Sequence, residues 1–299
     1  MRKILFCTIL TSICFISYAQ TNPINDDDIL KMLDSTMATN SAIDYTYATF
    51  KGTRVVNGHS IETQGKHVLQ FLISHRFGAL NTGPYNLFGL DAATMRLGLE
   101  YGITNRLTVG IGRATLKKTY DSFLKFKIIR QSKGAKKTPL SLTLMASSTA
   151  YSLREPSIDF ANRLVYTLQA LIARKFTDGF SIQISPTLIH RNLVDTRSDQ
   201  NDVFAIGISG RQKLTKRISL NAEYFYLMPG YTATNFSNCL SIGFDIETGG
   251  HVFQLHITNA QGMTENYFIA ENKSSWKNGD IYFGFNISRV FTLRKSKYK

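Results

Sequence analysis

Six histidines, His59, His67, His75, His190, His251 and His256, carry the widest chemical repertoire in this 299-residue chain. Their spacing argues against most of it. None stands at His-x-x-x-His or beside a glutamate at the interval that places two metal ligands on one helix face, so no metal and no cofactor is expected. On a strand, a nucleophile and its base must lie two residues apart to share a face. The nearest arrangement is His256-Ile257-Thr258, with threonine where serine is wanted, and His59-Ser60 are adjacent and therefore point apart. Gly-x-Ser-x-Gly is absent, and Gly110-Ile-Gly112-Arg113 lacks the third glycine and following helix of a phosphate loop. The chain is expected not to be an enzyme. What remains is a set of ionisable residues at alternating positions: Arg76, Arg96, Glu100, Lys125, Lys127, Arg211, Glu223, Asp245 and His256. By parity they share the inner face of a closed sheet, where they either neutralise one another as a salt-bridged filling or line a pore whose surplus of cations favours anions.

The elements that would hold them in that register are strands. Met95, Leu97, Leu99 and Tyr101 alternate with Thr94, Arg96, Gly98 and Glu100, and the same period of two recurs from Leu69 to Ser288. Segments of about ten residues, apolar on one face and polar or small on the other, are the pattern of a transmembrane antiparallel β-barrel. The pattern counts about twelve strands, with fourteen as the alternative. Connector lengths alternate too: Thr104-Asn105, Thr177-Asp178-Gly179, Thr215-Lys216-Arg217 and Thr248-Gly249-Gly250 are tight turns, whereas 78–93, 150–163, 191–202, 229–237 and 259–279 are long. A water-soluble sandwich has no reason to sort its loops by parity. Aromatic residues near strand ends, among them Tyr101, Tyr120, Tyr151, Tyr226, Tyr231, Tyr267 and Phe268, are expected to form interfacial girdles.

The first residues give an address. Met1-Arg2-Lys3, an apolar run from Ile4 to Ile16 and Ser17-Tyr18-Ala19 before Gln20 read as a secretory signal peptide cleaved near Ala19/Gln20. With the barrel, that places the protein in a Gram-negative outer membrane. Cys7 and Cys14 leave with the signal, and Cys239 remains as a packed or lipid-facing thiol. Three cysteines cannot build a disulfide framework, and a mean hydropathy of −0.11 excludes a helical membrane protein. The formal charge of +14 would suggest nucleic acid in a cytosolic protein. Here the excess falls on the short turns and the basic tail 294–299, so the expected partner is lipid headgroups, with no nucleic acid.

Residues 20–65 differ in composition from the alternating strands. Asn25-Asp26-Asp27-Asp28 ahead of Ile29, Met32 and Leu33 reads as a capped short helix. For 43–65 the alternatives are a disordered leader, an added strand pair, or a plug or lid, docked chiefly by apolar contacts of Tyr45, Tyr47 and Phe50 and drawn by a net −3 charge to the basic rim. The barrel proper is expected over 66–293.

Several strings, Thr49-Phe-Lys-Gly-Thr-Arg54, Ile73-Ser-His-Arg-Phe-Gly78, Leu87-Phe-Gly-Leu-Asp91, Leu99 to Arg113 and Gly284-Phe-Asn-Ile-Ser-Arg-Val-Phe291, resemble a Bacteroidota barrel family called domain of unknown function 5777. The resemblance spans nearly all of 49–293 and implies a secreted outer-membrane β-barrel, with no catalytic residues to carry over. His75, Arg76 and Asp91 are motif positions to which it gives no role. The leading expectation for function is a small-solute channel or binding barrel. A structural or assembly component of the envelope with a closed lumen is the alternative, and an outer-membrane lipid hydrolase the third.

Overall fold

The computed structural model describes residues 42–154, 157–230 and 236–294, together with Asp27, Leu30, Lys31, Met32 and Asp34, which have helical backbone. The signal peptide, the Asn25 cap, Tyr231 and tail residues 295–299 lie outside the described residues. Two compact units are present, Met1–Ala42 and Ile43–Lys299. Residues 43–65 thus belong with the barrel strands.

In chain order the strands are β1 (Ile43–Tyr45), β2 (Val68–Ala79), β3 (Ala93–Gly102), β4 (Leu107–Ala114), β5 (Thr119–Ile129), β6 (Ser132–Gly134) and β7 (Ser141–Tyr151). Then come β8 (Leu164–Lys175), β9 (Phe180–Arg191), β10 (Asp202–Lys213), β11 (Ile218–Leu227), β12 (Cys239–Thr248), β13 (His251–Thr258) and β14 (Tyr282–Thr292). Twelve of these close an antiparallel barrel in which each strand pairs its sequence neighbour and β14 returns to β2, Gly284 opposite Arg76. The short β1 and β6 pair only with each other, Ile43 opposite Gly134, at the short-turn end. The barrel thus has the expected twelve strands and not the alternative fourteen, β1 and β6 forming a small ribbon outside the closed sheet.

Alternation fixes which side of the wall each residue faces. Ile111, Leu144, Leu168, Ile184, Tyr224 and Leu255 lie exposed on the outside, while Thr108, Thr143, Thr167, Gln183, Asn221 and Gln254 on the same strands are buried inside. An outer belt of this kind is a liability in water and a requirement in hydrocarbon. No helix among the described residues is long and apolar enough to cross a membrane.

The inside is not hollow. Residues 48–65 run into the barrel from the short-turn end, and the β13–β14 connection folds in from the long-loop end. Two apolar clusters record this. One joins Phe50, Val55 and Ile61 of the N-terminal segment to the inward Phe123, Met145, Leu171 and Ala173. The other joins Ala260, Phe268, Ile269 and Ala270 of the connection to Val165, Ile189, Val203, Phe225, Leu227 and Cys239. Tyr267 and Phe268 therefore correct the girdle expectation: Phe268 is fully buried, edge-on to Phe225 at 5.2 Å between ring centroids, because the connection carries them inward.

Candidate functional site

The site is the lumen and the segment threaded through it. Residues 53–60 form a hairpin: Arg54 and His59 bridge, the Val55 amide donates to the Gly58 carbonyl at 2.8 Å, and the Ser60 amide to Thr53 at 2.9 Å. Its tip docks on Glu223 of β11, whose carboxylate accepts from the amides of Val56 (3.2 Å), Asn57 (2.7 Å) and Gly58 (3.0 Å). A carboxylate accepting several amides is among the stronger polar contacts a protein makes. Asn57 completes the tip. Its Nδ2 donates to Ser241 (2.9 Å) and Thr258 (3.2 Å) and approaches Cys239 Sγ at 3.8 Å, and its Oδ1 accepts from Arg76 at 2.5 Å. Gly58 must be small, because a Cβ there would stand 2.7 Å from the Phe225 ring and 3.3 Å from Glu223 Oε2.

The two legs of the hairpin are held mainly by their carbonyls. Asn286 donates to Val56 (3.0 Å), Gln183 to His59 (2.8 Å), Thr143 to Ile61 (3.1 Å), and Lys125 Nζ to both Ser60 (2.7 Å) and Glu62 (2.5 Å). Gln254 donates to Val55, and Arg211 to Ala48 at 3.1 Å. The return leg ends with the Gln64 amide on Thr108 at 2.9 Å and with Gly102 so close to Gly65 that a Cβ would meet the Gly65 carbonyl at 2.0 Å.

Charge is paired locally. Arg96 holds Asp121 through two guanidinium nitrogens, at 2.9 and 2.5 Å, in space left by Gly98 and Gly112, whose absent Cβ atoms would stand 2.7 and 2.3 Å from the guanidinium. Glu62 reaches Lys127 at 3.7 Å, and Lys51 pairs with Glu247. Arg54 crosses to the other inserted element, bonding Glu265 of the β13–β14 connection at 2.8 Å. His59 sits at 3.5 Å from the same carboxylate. Burial, reinforced by Arg54, Lys125 and Arg96, holds its pKa well below the ordinary imidazole value, so the ring stays neutral and the approach is not an ion pair.

The inward ionisable residues singled out by parity all lie inside: Arg76, Arg96, Glu100, Lys125, Arg211, Glu223, Asp245 and His256 are buried, and Lys127 is half-buried against Glu62. They do not, however, form salt bridges among themselves. Arg96 pairs with Asp121, Arg76, Lys125, Lys127, Arg211 and Glu223 meet the hairpin, and Asp245 accepts from the wall residue Gln254 at 2.7 Å. Both oxygens of Glu100 and both ring nitrogens of His256 are buried without a hydrogen bond to another described residue. The Thr258 hydroxyl is bonded to Ser241 and Asn57, so His256-Ile257-Thr258 is not assembled as a nucleophile and base. His75 lies on the outer face, stacked on Phe285 at 4.8 Å, and Asp91 is exposed in the β2–β3 connection. Neither touches the lumen contents.

Docking differs from the apolar expectation. Phe50 is buried, but Tyr47 is 68% exposed and Tyr45 half-buried, both lying beside Arg130 at the short-turn rim, 5.1 and 4.1 Å from its guanidinium. β1 spends its length pairing with β6, which keeps these rings at the mouth.

At the long-loop end, a cleft of about 220 Å³ separates the β13–β14 connection from the β4–β5 turn, lined by Lys117, Asp195, Gln261, Tyr267, Glu271 and Lys273 among others. Burial raises the pKa of Glu271 despite Lys117 at 3.6 Å, and pushes the Tyr267 hydroxyl up to about 12.

Residues 50–291 match the model of a family described as a membrane-bound β-barrel domain, DUF5777. No curated protein matches the sequence. Among solved structures, the NanC porin is similar at 10% identity over 74% of this chain and 98% of its own, with a TM-score of 0.47. The KdgM porin is similar at 8% identity, 75% and 99% coverage and 0.46. An outer-membrane channel from Pseudomonas putida F1 gives 13%, 76%, 96% and 0.44.

Proposed function

This chain belongs to the DUF5777 family of membrane-bound β-barrel domains, and from that premise we propose that it is an outer-membrane barrel for a small solute, held closed at rest by the 48–65 hairpin. The observation that carries the reading is the way the hairpin is held. It meets polar wall groups through hydrogen bonds, each of which nets only about 1 kcal/mol between neutral groups and about 1.5–3 kcal/mol to Glu223 or Lys125, because water replaces the lost partner. On leaving, the hairpin exposes one apolar patch, where Phe50, Val55 and Ile61 meet Phe123, Met145, Leu171 and Ala173, but otherwise Glu223, Gln183, Lys125 and Asn286, which water solvates well. The N-terminus, delivered by a signal peptide cleaved near Ala19/Gln20, lies with the short turns in the periplasm on this reading, and the β7–β8 and β9–β10 connections face outside. With the hairpin out, Arg76, Arg96, Lys125, Lys127 and Arg211 face Glu100, Asp121, Glu223 and Asp245 together with the Glu247 and Glu265 that Lys51 and Arg54 leave behind, so the lumen holds charges of both signs.

A permanently closed structural barrel is the second reading, favoured by the buried Arg54–Glu265 bond that ties the hairpin to the outer connection. Planar-bilayer conductance separates the two. Gly58→Leu, which drives a side chain into Phe225 and Glu223, should raise the open-channel current at least about tenfold while the barrel keeps its heat-modifiable migration. Equal currents from the wild type and the variant would leave the structural reading standing.

A further inference from the structure

The hairpin is gripped by its main chain, and that says what else the lumen could hold. Glu223 accepts successive amides, while Gln254, Asn286, Gln183, Lys125 and Thr143 donate to the carbonyls of Val55, Val56, His59, Ser60, Ile61 and Glu62. Amides and carbonyls are the groups every peptide shares. Among the side chains, Asn57, Glu62, Lys51 and Thr53 bond the wall and Arg54 and His59 lie against the Phe123 ring, while Phe50, Val55 and Ile61 pack on apolar wall and need only be apolar. A wall that bonds the donors and acceptors of one polypeptide segment in sequence is a peptide site by its chemistry.

We propose that the solute class of this barrel is a short peptide in extended or hairpin conformation, and that residues 48–62 are its built-in stand-in. The inference rests on the reading that the hairpin is displaceable. As part of the same chain, the hairpin competes at an effective concentration in the millimolar range, so a free peptide occupies the lumen only when the tip is dislodged. The wall cations have a place in this account: Lys125 bridges two carbonyls, which makes it a main-chain ligand rather than a surplus charge.

The test uses the full-length Gly58→Leu chain folded in detergent, with Ser60→Pro, which removes the amide bonded to Thr53, as the alternative if the first does not fold. Labelled peptides are titrated and binding is followed by anisotropy and by block of conductance. The first peptide copies residues 48–62. The second exchanges the apolar residues at 50, 55, 56 and 61 for other apolar residues of similar size and keeps the rest. The third copies 48–62 with N-methyl groups on the amides of 56 to 58, and a neutral oligosaccharide of equal mass is the fourth probe.

The first two peptides should bind within about tenfold of each other, N-methylation should cost at least about tenfold, and the sugar should neither bind nor compete. The proposal is overturned if the exchanged peptide is lost while the copy binds, because recognition would then lie in the exact side chains and the hairpin would be a plug alone. It is equally overturned if the sugar competes, or if no peptide binds a variant that conducts. That last outcome leaves displacement intact, whereas a silent Gly58→Leu barrel overturns displacement itself.

Discussion

Two pieces of the described chain fill this barrel, and they are held by different balances of forces. The hairpin of residues 48–65 is bonded along its main chain to polar wall groups, with one apolar patch of Phe50, Val55 and Ile61 against Phe123, Met145, Leu171 and Ala173. The β13–β14 connection lies against Val165, Ile189, Val203, Leu227 and Phe225 and buries Phe268, Ile269 and Ala270 there, with polar contacts at its edges such as Tyr267 to Thr119 and Trp276 to the Leu240 carbonyl. Burial of that kind is worth about 2 kcal/mol or more for each large side chain and has no substitute in water. On the proposed reading the difference gives each element a part: the connection belongs to the barrel's core, and the hairpin is a resident that water or another ligand replaces. Arg54–Glu265 is where the movable element touches the fixed one.

The largest expected effect breaks the fixed side. Phe268→Ala removes a fully buried ring from between Phe225 and its neighbours and should destabilise the folded barrel by about 3–5 kcal/mol, read from denaturant unfolding of the heat-modifiable form, with little rise in current. A large current without loss of stability would reverse the roles of the two insertions.

Cutting the link comes next. Glu265→Gln leaves Arg54 buried against a neutral partner, a cost of about 2–3 kcal/mol that falls on the hairpin's docked state. Opening events in single-channel records should become several-fold more frequent, and unchanged records would detach the outer connection from hairpin release. Smallest of all is Tyr47→Ala, because that ring stays at the rim beside Arg130. Currents within about twofold of wild type are expected, and a larger rise would restore the apolar docking that the sequence suggested.

The strands were legible because a barrel wall repeats one rule: apolar toward lipid, polar toward the lumen. Leu97 and Arg96, or Leu124 and Lys125, display it without any knowledge of partners. The filling was less legible, since parity says that Glu223 faces inward but not that it meets Asn57, 166 positions away. Two traces were nonetheless present. Val55-Val56-Asn57-Gly58 carries the Asn-Gly pair of a turn, which marks the hairpin tip. Alternation also fails at the outer ends of β8 to β11, where Val165-Tyr166, Leu188-Ile189, Val203-Phe204 and Tyr226-Leu227 are apolar on both faces. Inward apolar residues need an apolar partner, and the β13–β14 connection supplies it. Asp121, the partner of Arg96, sat at an inward position beside Lys125 and was readable by the same parity.

The claim that the hairpin is a removable obstruction can be tested on a single chain with a switchable bond. Asn57 Nδ2 already lies 3.8 Å from Cys239 Sγ, so Asn57→Cys, in protein produced from Gln20 onward, brings a second thiol to the buried native one. Reduced, the variant has lost the Asn57 bonds to Arg76, Ser241 and Thr258 and should conduct; oxidised, its tip is tied to β12 and the same channels should fall silent, then reopen on reduction. Currents that ignore the redox state of that disulfide, whether open or closed throughout, would contradict the account.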